Sequence, residues 1–530
     1  MSFVTIPLKL NTQYITQDTA LMAELQSILE RSEYQNIVIQ APQGLGKTRL
    51  FSNEIFQSSN IITPTRVTTD QQASDYGYEV RVCGRDWNKG RGEDFANWYN
   101  QRYIATMASS NVLPLNGDYL IFDECHKLID YSTFAISSTY KMLNTLDYAR
   151  QLGKKIIFVS ATPEKLLFYS ELMDEVNGEP KIPIDIVIDI QPSEPPQYIN
   201  DLYIYQYDEV HFSRRIRAEV KERAANGRQV ALLRSTSHVS DFTDELNNRG
   251  ISAVGFSSKN RTSNAAFDKL AEQGIFDTQV LNATSLIDCG INIYNEDVTD
   301  LYNAFPFDLT MHKQFMARAR NAKPNYHILQ ARLDSTEQQT ADLSPAELYE
   351  RGRRKFISIY ATAQSDKDFE NLVGVVEGEQ GYEFSPLAMT CEIIKLKDKA
   401  ALSTAEGIRA AVGGYVMGNV YPSNPSTAAV RGEKARAKTA QKTATEQVTA
   451  EVAAELDEYA RSGEPMPKFK RDTIVEKLNA VSKKQYLQHN RILQNFAIPY
   501  TLTDKAKKGS FYTVTRNPHG NEGAENETKS

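Results

Sequence analysis

Several things are scarce in this 530-residue chain, and each scarcity narrows what it can be. Its four cysteines, Cys83, Cys125, Cys289 and Cys391, lie far apart and never form a Cys-x-x-Cys pair. That excludes a zinc or iron–sulfur centre built on cysteine and fits a reducing interior. No run of about 18 apolar residues occurs, so no segment is expected to span a membrane. The opening MSFVTIPLK lacks a basic region followed by an apolar stretch, so a cytoplasmic protein is expected, or a nuclear one in a eukaryote. Positive charge is also in deficit: 60 Lys and Arg against 67 Asp and Glu give a net charge of −7. A surface basic all over is thereby excluded, although a locally basic groove is not.

What is present reads as an ordinary globular core. Hydrophobic residues make up 41% and charged residues 24%, and the length suggests three or four domains at roughly 150 residues each. Through residue 330, short β-branched runs alternate with amphipathic segments: Asn36–Gln40, Tyr119–Phe122, Lys155–Val159, Val230–Leu233 and Thr278–Leu281. Such alternation predicts an α/β fold with parallel sheets covered by helices on both faces. The proline-rich stretch QPSEPPQ (191–197) forbids regular structure and marks an interdomain linker. Two lobes are expected, at 1–195 and 196–330. A mixed accessory region of no assignable chemistry follows at 331–425, and then a solvated linker at 426–466 with a helix over Glu446–Ala460.

The segment APQGLGKT (41–48) follows one of the strands and precedes a helix, the context of a phosphate-binding loop. Gly44 and Gly46 let backbone N–H groups turn inward, Lys47 reaches the β/γ-phosphates of ATP, and the Thr48 hydroxyl completes a Mg²⁺ shell. DYLIFDECH (118–126) then delivers an acidic pair at the end of a hydrophobic strand. Asp123 suits the Mg²⁺ and Glu124 suits the attacking water.

Asp-Glu-Cys-His resembles the DExH box of superfamily 2 helicases. Further stations follow in the order that family implies: TPTR (63–66) with Gln71, SATP (160–163), LLRSTS (232–237), Thr284-Ser285 with Gly290-Ile291-Asn292, and QFMARAR (314–320). The resemblance implies tandem RecA-like lobes that hydrolyse ATP between them and pull on a nucleic-acid strand. Arg66 and Thr284 would contact the strand. His126, Ser160, Thr162, Gly290 and Asn292 would couple hydrolysis to movement, and Gln314 with Arg318 or Arg320 would reach the γ-phosphate. In QFMARAR the arginines fall four and six positions after the glutamine, and Ala317 stands where glycine is commoner. That compact form is similar to herpesvirus-type replication origin-binding helicases and helicases of mobile elements and phages. Tyr14 lies where the family often places a residue against adenine, although it reads more readily as a packing aromatic.

Residues 467–516 carry eleven Lys and Arg against three acids. Two short helices and a strand pair tipped by Lys507 and Lys508 suggest a basic winged-helix DNA-binding module or, alternatively, a solvated basic face. The tail 517–530 is expected to be disordered. Together these point to an ATP-dependent DNA helicase of phage, plasmid or mobile-element replication, with replication proteins as possible partners. An RNA helicase, a duplex translocase and an ATP-switched origin-binding initiator remain alternatives.

Overall fold

In the computed structural model the buried β-branched runs become strands. It describes residues 3–66, 68–69, 72, 80–82, 103–111, 115–205, 209–233, 236–257, 265–284, 291–303, 308–363, 365, 368–369, 372–378, 381–423, 427–481, 488–504 and 511–517. The first sheet contains β1 (Val4–Leu10), β2 (Asn36–Gln40), β3 (Ser59–Thr63), β4 (Val80–Val82), β5 (Tyr103–Thr106), β6 (Tyr119–Asp123), β7 (Lys155–Ser160) and β8 (Ile186–Pro192). Their order is β1-β8-β2-β7-β6-β3-β5-β4, and every pairing is parallel. Alternate side chains feed two cores: Ile37 and Ile39 pack on one face and Val38 on the other, as the two-residue period of a strand demands.

A second sheet is built from β9 (Leu202–Tyr205), β10 (Gln229–Leu233), β11 (Ala253–Phe256), β12 (Val280–Ala283), β13 (Val298–Asn303) and β14 (Asn325–Leu329). An antiparallel hairpin of β15 (Val375–Gly378) and β16 (Gly381–Phe384) intervenes before β17 (Val420–Ser423). That last strand joins the second sheet, whose order is β11-β12-β10-β13-β14-β9-β17. All its pairings are parallel as well. Parallel strands send the loops that follow their C-terminal ends to one edge, so β2, β7 and β6, which are neighbours, deliver the three motifs of the first lobe side by side.

The region 331–425 therefore does not stand apart from the lobes. The helix Pro386–Ala401 buries Leu387, Met389, Ile393 and Ile394 in the core of the first lobe, whereas Leu402, Ile408 and Val412 enter the core of the second. Beside this strap the lobes share ion pairs, Lys165–Asp308 at 2.8 Å and Lys313–Glu164 at 2.7 Å. Asp398, on the strap, accepts the backbone N–H of Leu309 at 3.0 Å.

Residues 425–530 form a separate compact unit. The helix Thr427–Ser462 was expected to be a solvated linker, but it places Val452 and Leu456 in a core with Ile474, Leu478, Ile492 and Leu502. Helices Lys468–Val481 and His489–Asn495 follow, with a three-stranded sheet of β18 (Met466–Pro467), β19 (Tyr500–Asp504) and β20 (Phe511–Arg516) in the order β18-β20-β19. The basic surplus counted in 467–516 is partly neutralised here, because Glu455 of the long helix takes both Lys470 and Lys477. Lys507 and Lys508 lie outside the described residues.

Burial and the neighbouring Asp308 push Asp398 up from 3.8 to about 7. The protonated carboxyl thus belongs to the folded state. Its stabilisation is fully present below the unfolded value and is lost as pH rises through about 7. Asp398→Asn, neutral throughout, is expected to shrink the difference in unfolding free energy between acid and alkaline buffer, measured by urea denaturation on both sides of that window. Identical pH dependence in wild type and variant would contradict this reading.

Candidate active site in the interlobe cleft

The phosphate-loop candidate leaves β2 and closes on a short helix, Lys47–Leu50. Gly44 and Gly46 have φ of 86° and 83°, a left-handed backbone that side chains resist. A Cβ at Gly44 would also come within 2.9 Å of Arg320 Nη1, and one at Gly46 within 3.6 Å of the Tyr14 ring. Lys47 Nζ donates to the carbonyls of Ala41 and Pro42 at 2.8 and 3.0 Å. Burial lowers its pKa to about 8 against the opposing pull of Glu124 and Asp123.

Asp123 ends β6 and is buried, accepting Gln72 Nε2 at 2.7 Å. Burial and the adjacent Glu124 push its carboxyl up to about 7. Glu124 itself sits at φ 53°, a conformation costing about 1–3 kcal/mol for a non-glycine residue. The strained turn sends its carboxylate into a cluster of donors. Ser160 Oγ lies 3.4 Å from Oε2 and Gln314 Nε2 lies 3.3 Å from the same oxygen. Arg318 Nη2 is 3.9 Å from Oε1. Burial alone would raise Glu124, but the neighbouring His126 and the charges of Arg318 and Lys47 outweigh it and hold it below the usual glutamate value.

The second lobe completes this cluster. Gln314 Nε2 donates to Thr162 Oγ1 at 2.9 Å, and Gln314 Oε1 accepts Arg318 Nη2 at 2.8 Å. Ser160 Oγ accepts the Thr162 N–H at 3.0 Å and lies 3.1 Å from His126 Nδ1. Burial drives His126 down to about 3, so the ring is neutral at pH 7. Arg320 Nε donates to Asn292 Oδ1 at 2.8 Å. Burial and Arg318 lower Arg320 to about 10, which leaves it charged.

Of the residues singled out in the sequence, Tyr14, Gly44, Gly46, Lys47, Thr48, Asp123, Glu124, Asn292, Arg318 and Arg320 line one cleft of about 670 Å³. His126, Ser160, Thr162 and Gln314 are buried against it. Arg66 and Thr284 do not line it: Arg66 is exposed beyond the end of β3, and Thr284 is buried after β12. Gln71 and Gly290 fall outside the described residues.

Among the cleft residues that escaped the sequence reading are Gln72 and Tyr198. Gln72 adjoins Gln71, so its signal was displaced by one position. Tyr198 stands just past the proline-rich stretch taken as a linker. Its hydroxyl donates to Gln43 O of the phosphate loop at 2.8 Å, and its ring stacks on Tyr415 with centroids 5.4 Å apart. Both lobes thus fix the loop. Tyr198→Phe removes one buried hydrogen bond, typically about 0.5–1.5 kcal/mol. Steady-state kinetics are expected to show a KM for ATP raised about 2- to 10-fold with kcat nearly unchanged; an unaltered KM would show that the bond does not support the loop.

Residues 22–167 match the DEAD/DEAH box helicase family. No curated protein matches the chain. Similar solved structures include Mss116p bound to ssRNA and AMP-PNP, at 14% identity over 78% of this chain and 99% of that one, with a TM-score of 0.44. Dbp5 from S. cerevisiae, bound to RNA and ADP BeF3, shows 14% identity over 62% of this chain and 92% of that one, with a TM-score of 0.42. A DEAD box protein from the hyperthermophile Methanococcus jannaschii shows 20% identity over 58% and 85%, TM-score 0.28. Residues 22–167 thus carry a DEAD/DEAH box helicase domain, and the chain is an ATP-hydrolysing, nucleic-acid-remodelling enzyme of the helicase type.

Proposed function

We propose that the chain is a DNA helicase acting in replication of a phage, plasmid or other mobile element in the cytoplasm of its host. The observation that carries its motor chemistry is the Glu124–Gln314–Thr162 contact, in which the second lobe reaches the base candidate of the first. Glu124, ionised and held by Ser160 and Gln314, takes the proton from the attacking water. Lys47 gives up its backbone carbonyls for the β/γ-phosphates. Arg320, whose guanidinium lies over Gly44, is the arginine that meets the γ-phosphate, while Arg318 orients Gln314 and Glu124. His126 and Ser160 hold the carboxylate from behind, and Asn292 aims Arg320.

The donor set also fits a hard divalent cation. Asp123 is a buried carboxylate short of positive charge, and the Thr48 hydroxyl lines the same cleft. Those two residues would hold Mg²⁺, which neutralises phosphate charge when bound.

The strand would run past the exposed Arg66 and the buried Thr284, and DNA is favoured by two features. One is the compact Q-x-x-A-R-x-R spacing at 314–320. The other is the lysine-rich segment 505–508, although ion pairing to Glu455 weakens the argument from bulk charge in that unit. Replication proteins would be its partners.

Glu124→Gln is expected to lower stimulated ATP turnover about 10²- to 10⁴-fold while ATP still binds. Turnover measured in parallel with single-stranded DNA, duplex DNA and RNA should rise most with single-stranded DNA. Stimulation by RNA alone would overturn the DNA reading, and near-normal turnover in the variant would overturn the assignment of Glu124.

A further inference from the structure

Just past Glu124 the chain runs through the short helix Lys127–Tyr131 and a turn at 132–135 into the helix Ile136–Gln151. That turn carries Phe134, which is 70% exposed and does not line the ATP cleft. Among the described residues no large apolar side chain is more exposed. A single phenylalanine in solvent is ordinary on a globular protein, so its support and its position decide what it means.

The support is rigid. Tyr131 O accepts the N–H groups of Phe134 and Ala135 at 3.3 and 2.8 Å. Ser132 Oγ donates to Ile129 O at 2.6 Å and Thr133 Oγ1 to Asp130 O at 3.2 Å. Below the turn, Asp130 holds the buried Lys165 at 2.5 Å, and Ser132 is itself buried. Tyr131 packs against the core of the first lobe and meets the Phe134 ring at 5.1 Å between centroids, with the planes 67° apart. Such an edge-on pair fixes the direction of the outer ring. The same turn that buries Ser132 thus holds Phe134 out in solvent.

The position is specific. Tyr131 Oη donates to Pro64 O at 3.3 Å. Pro64 belongs to TPTR, directly after β3, and stands two residues before the exposed Arg66. Strands β3 and β6 are parallel neighbours, so the segments that follow them leave the same edge of the sheet. Tyr131 therefore joins Phe134 to the segment along which a strand would be gripped. A cation for phosphate beside a fixed, open aromatic ring is the chemistry that holds single-stranded nucleic acid.

We propose that Phe134 is a stacking platform for one unpaired base of the strand whose backbone passes Arg66. An unpaired base fits better than a duplex because pairing leaves no base face free for the ring. Stacking does not depend on which base is present, which suits a motor that must move along any sequence. The proposal rests on the reading of the chain as a nucleic-acid motor and adds to it a contact with the bases.

The test uses the full chain, fluorescent oligo(dT) and oligo(rU), and binding anisotropy between about 50 and 200 mM salt. Phe134→Ser should weaken binding about 5- to 100-fold, the loss of one stacked base. Phe134→Leu, apolar but without a ring, should weaken it nearly as much, whereas Phe134→Trp should bind at least as tightly as wild type. The slope of log K against log salt should stay at the wild-type value in all three, because a stacked base releases no counterion. Their urea-unfolding midpoints should also match the wild type, since the ring is mostly in solvent. Wild-type affinity in Phe134→Ser or in Phe134→Leu would overturn this inference and leave the motor reading intact. If the wild-type chain bound neither strand and neither stimulated its ATPase, both readings would fail.

Discussion

The amide of Gln314 crosses the cleft to the Thr162 hydroxyl and the Glu124 carboxylate while its own oxygen accepts Arg318. Much else in the fold serves to make that crossing possible. Parallel sheets bring Lys47, Glu124 and Thr162 to one edge because β2, β6 and β7 are neighbours with the same direction. The proline-rich connection and the strap at 386–412 then hold the second lobe where Gln314, Arg318 and Arg320 face that edge. In the proposed motor, hydrolysis and lobe closure would share this one set of hydrogen bonds, which is the physical requirement for converting ATP turnover into movement.

The site is held under stress by its surroundings. Glu124 adopts a left-handed backbone, Asp123 is pushed towards neutrality by burial, and Lys47 is driven down towards pH 8. Each departure is unfavourable in the free protein, and in the proposed reaction a ligand carrying both phosphates and a cation would relieve it. Low local dielectric makes those interactions strong once made. Neutral His126, sealed behind Glu124, supports the carboxylate by position rather than by a full charge at pH 7.

The first lobe was legible in the sequence because its motifs are contiguous. APQGLGKT and DECH each occupy one strand end, and local spacing alone carries their chemistry. Which of Arg318 and Arg320 lies over Gly44 was not legible, because both follow the helix Leu309–Met316 in irregular chain whose direction only the fold sets. Tyr198 was hidden by the prolines before it, which mark a break in regular structure but say nothing about a buried tyrosine immediately after. The region 331–425 was opaque for a topological reason: its apolar residues serve two different cores and its last strand, β17, pairs with β9 from far earlier in the chain. The charge of the C-terminal segment was misleading because its counterions lie on a helix outside the segment counted.

The central claim is that the two lobes form one catalytic site through the Thr162–Gln314 bond. A double-mutant cycle on ATP turnover, using Thr162→Val, Gln314→Ala and the pair, measures it directly. If the bond transmits the second lobe to Glu124, the double variant should be little worse than the poorer single one, with a coupling energy of about 1 kcal/mol or more. Effects that add to within about 0.5 kcal/mol would mean that the two residues act independently and that the cleft is not a shared site.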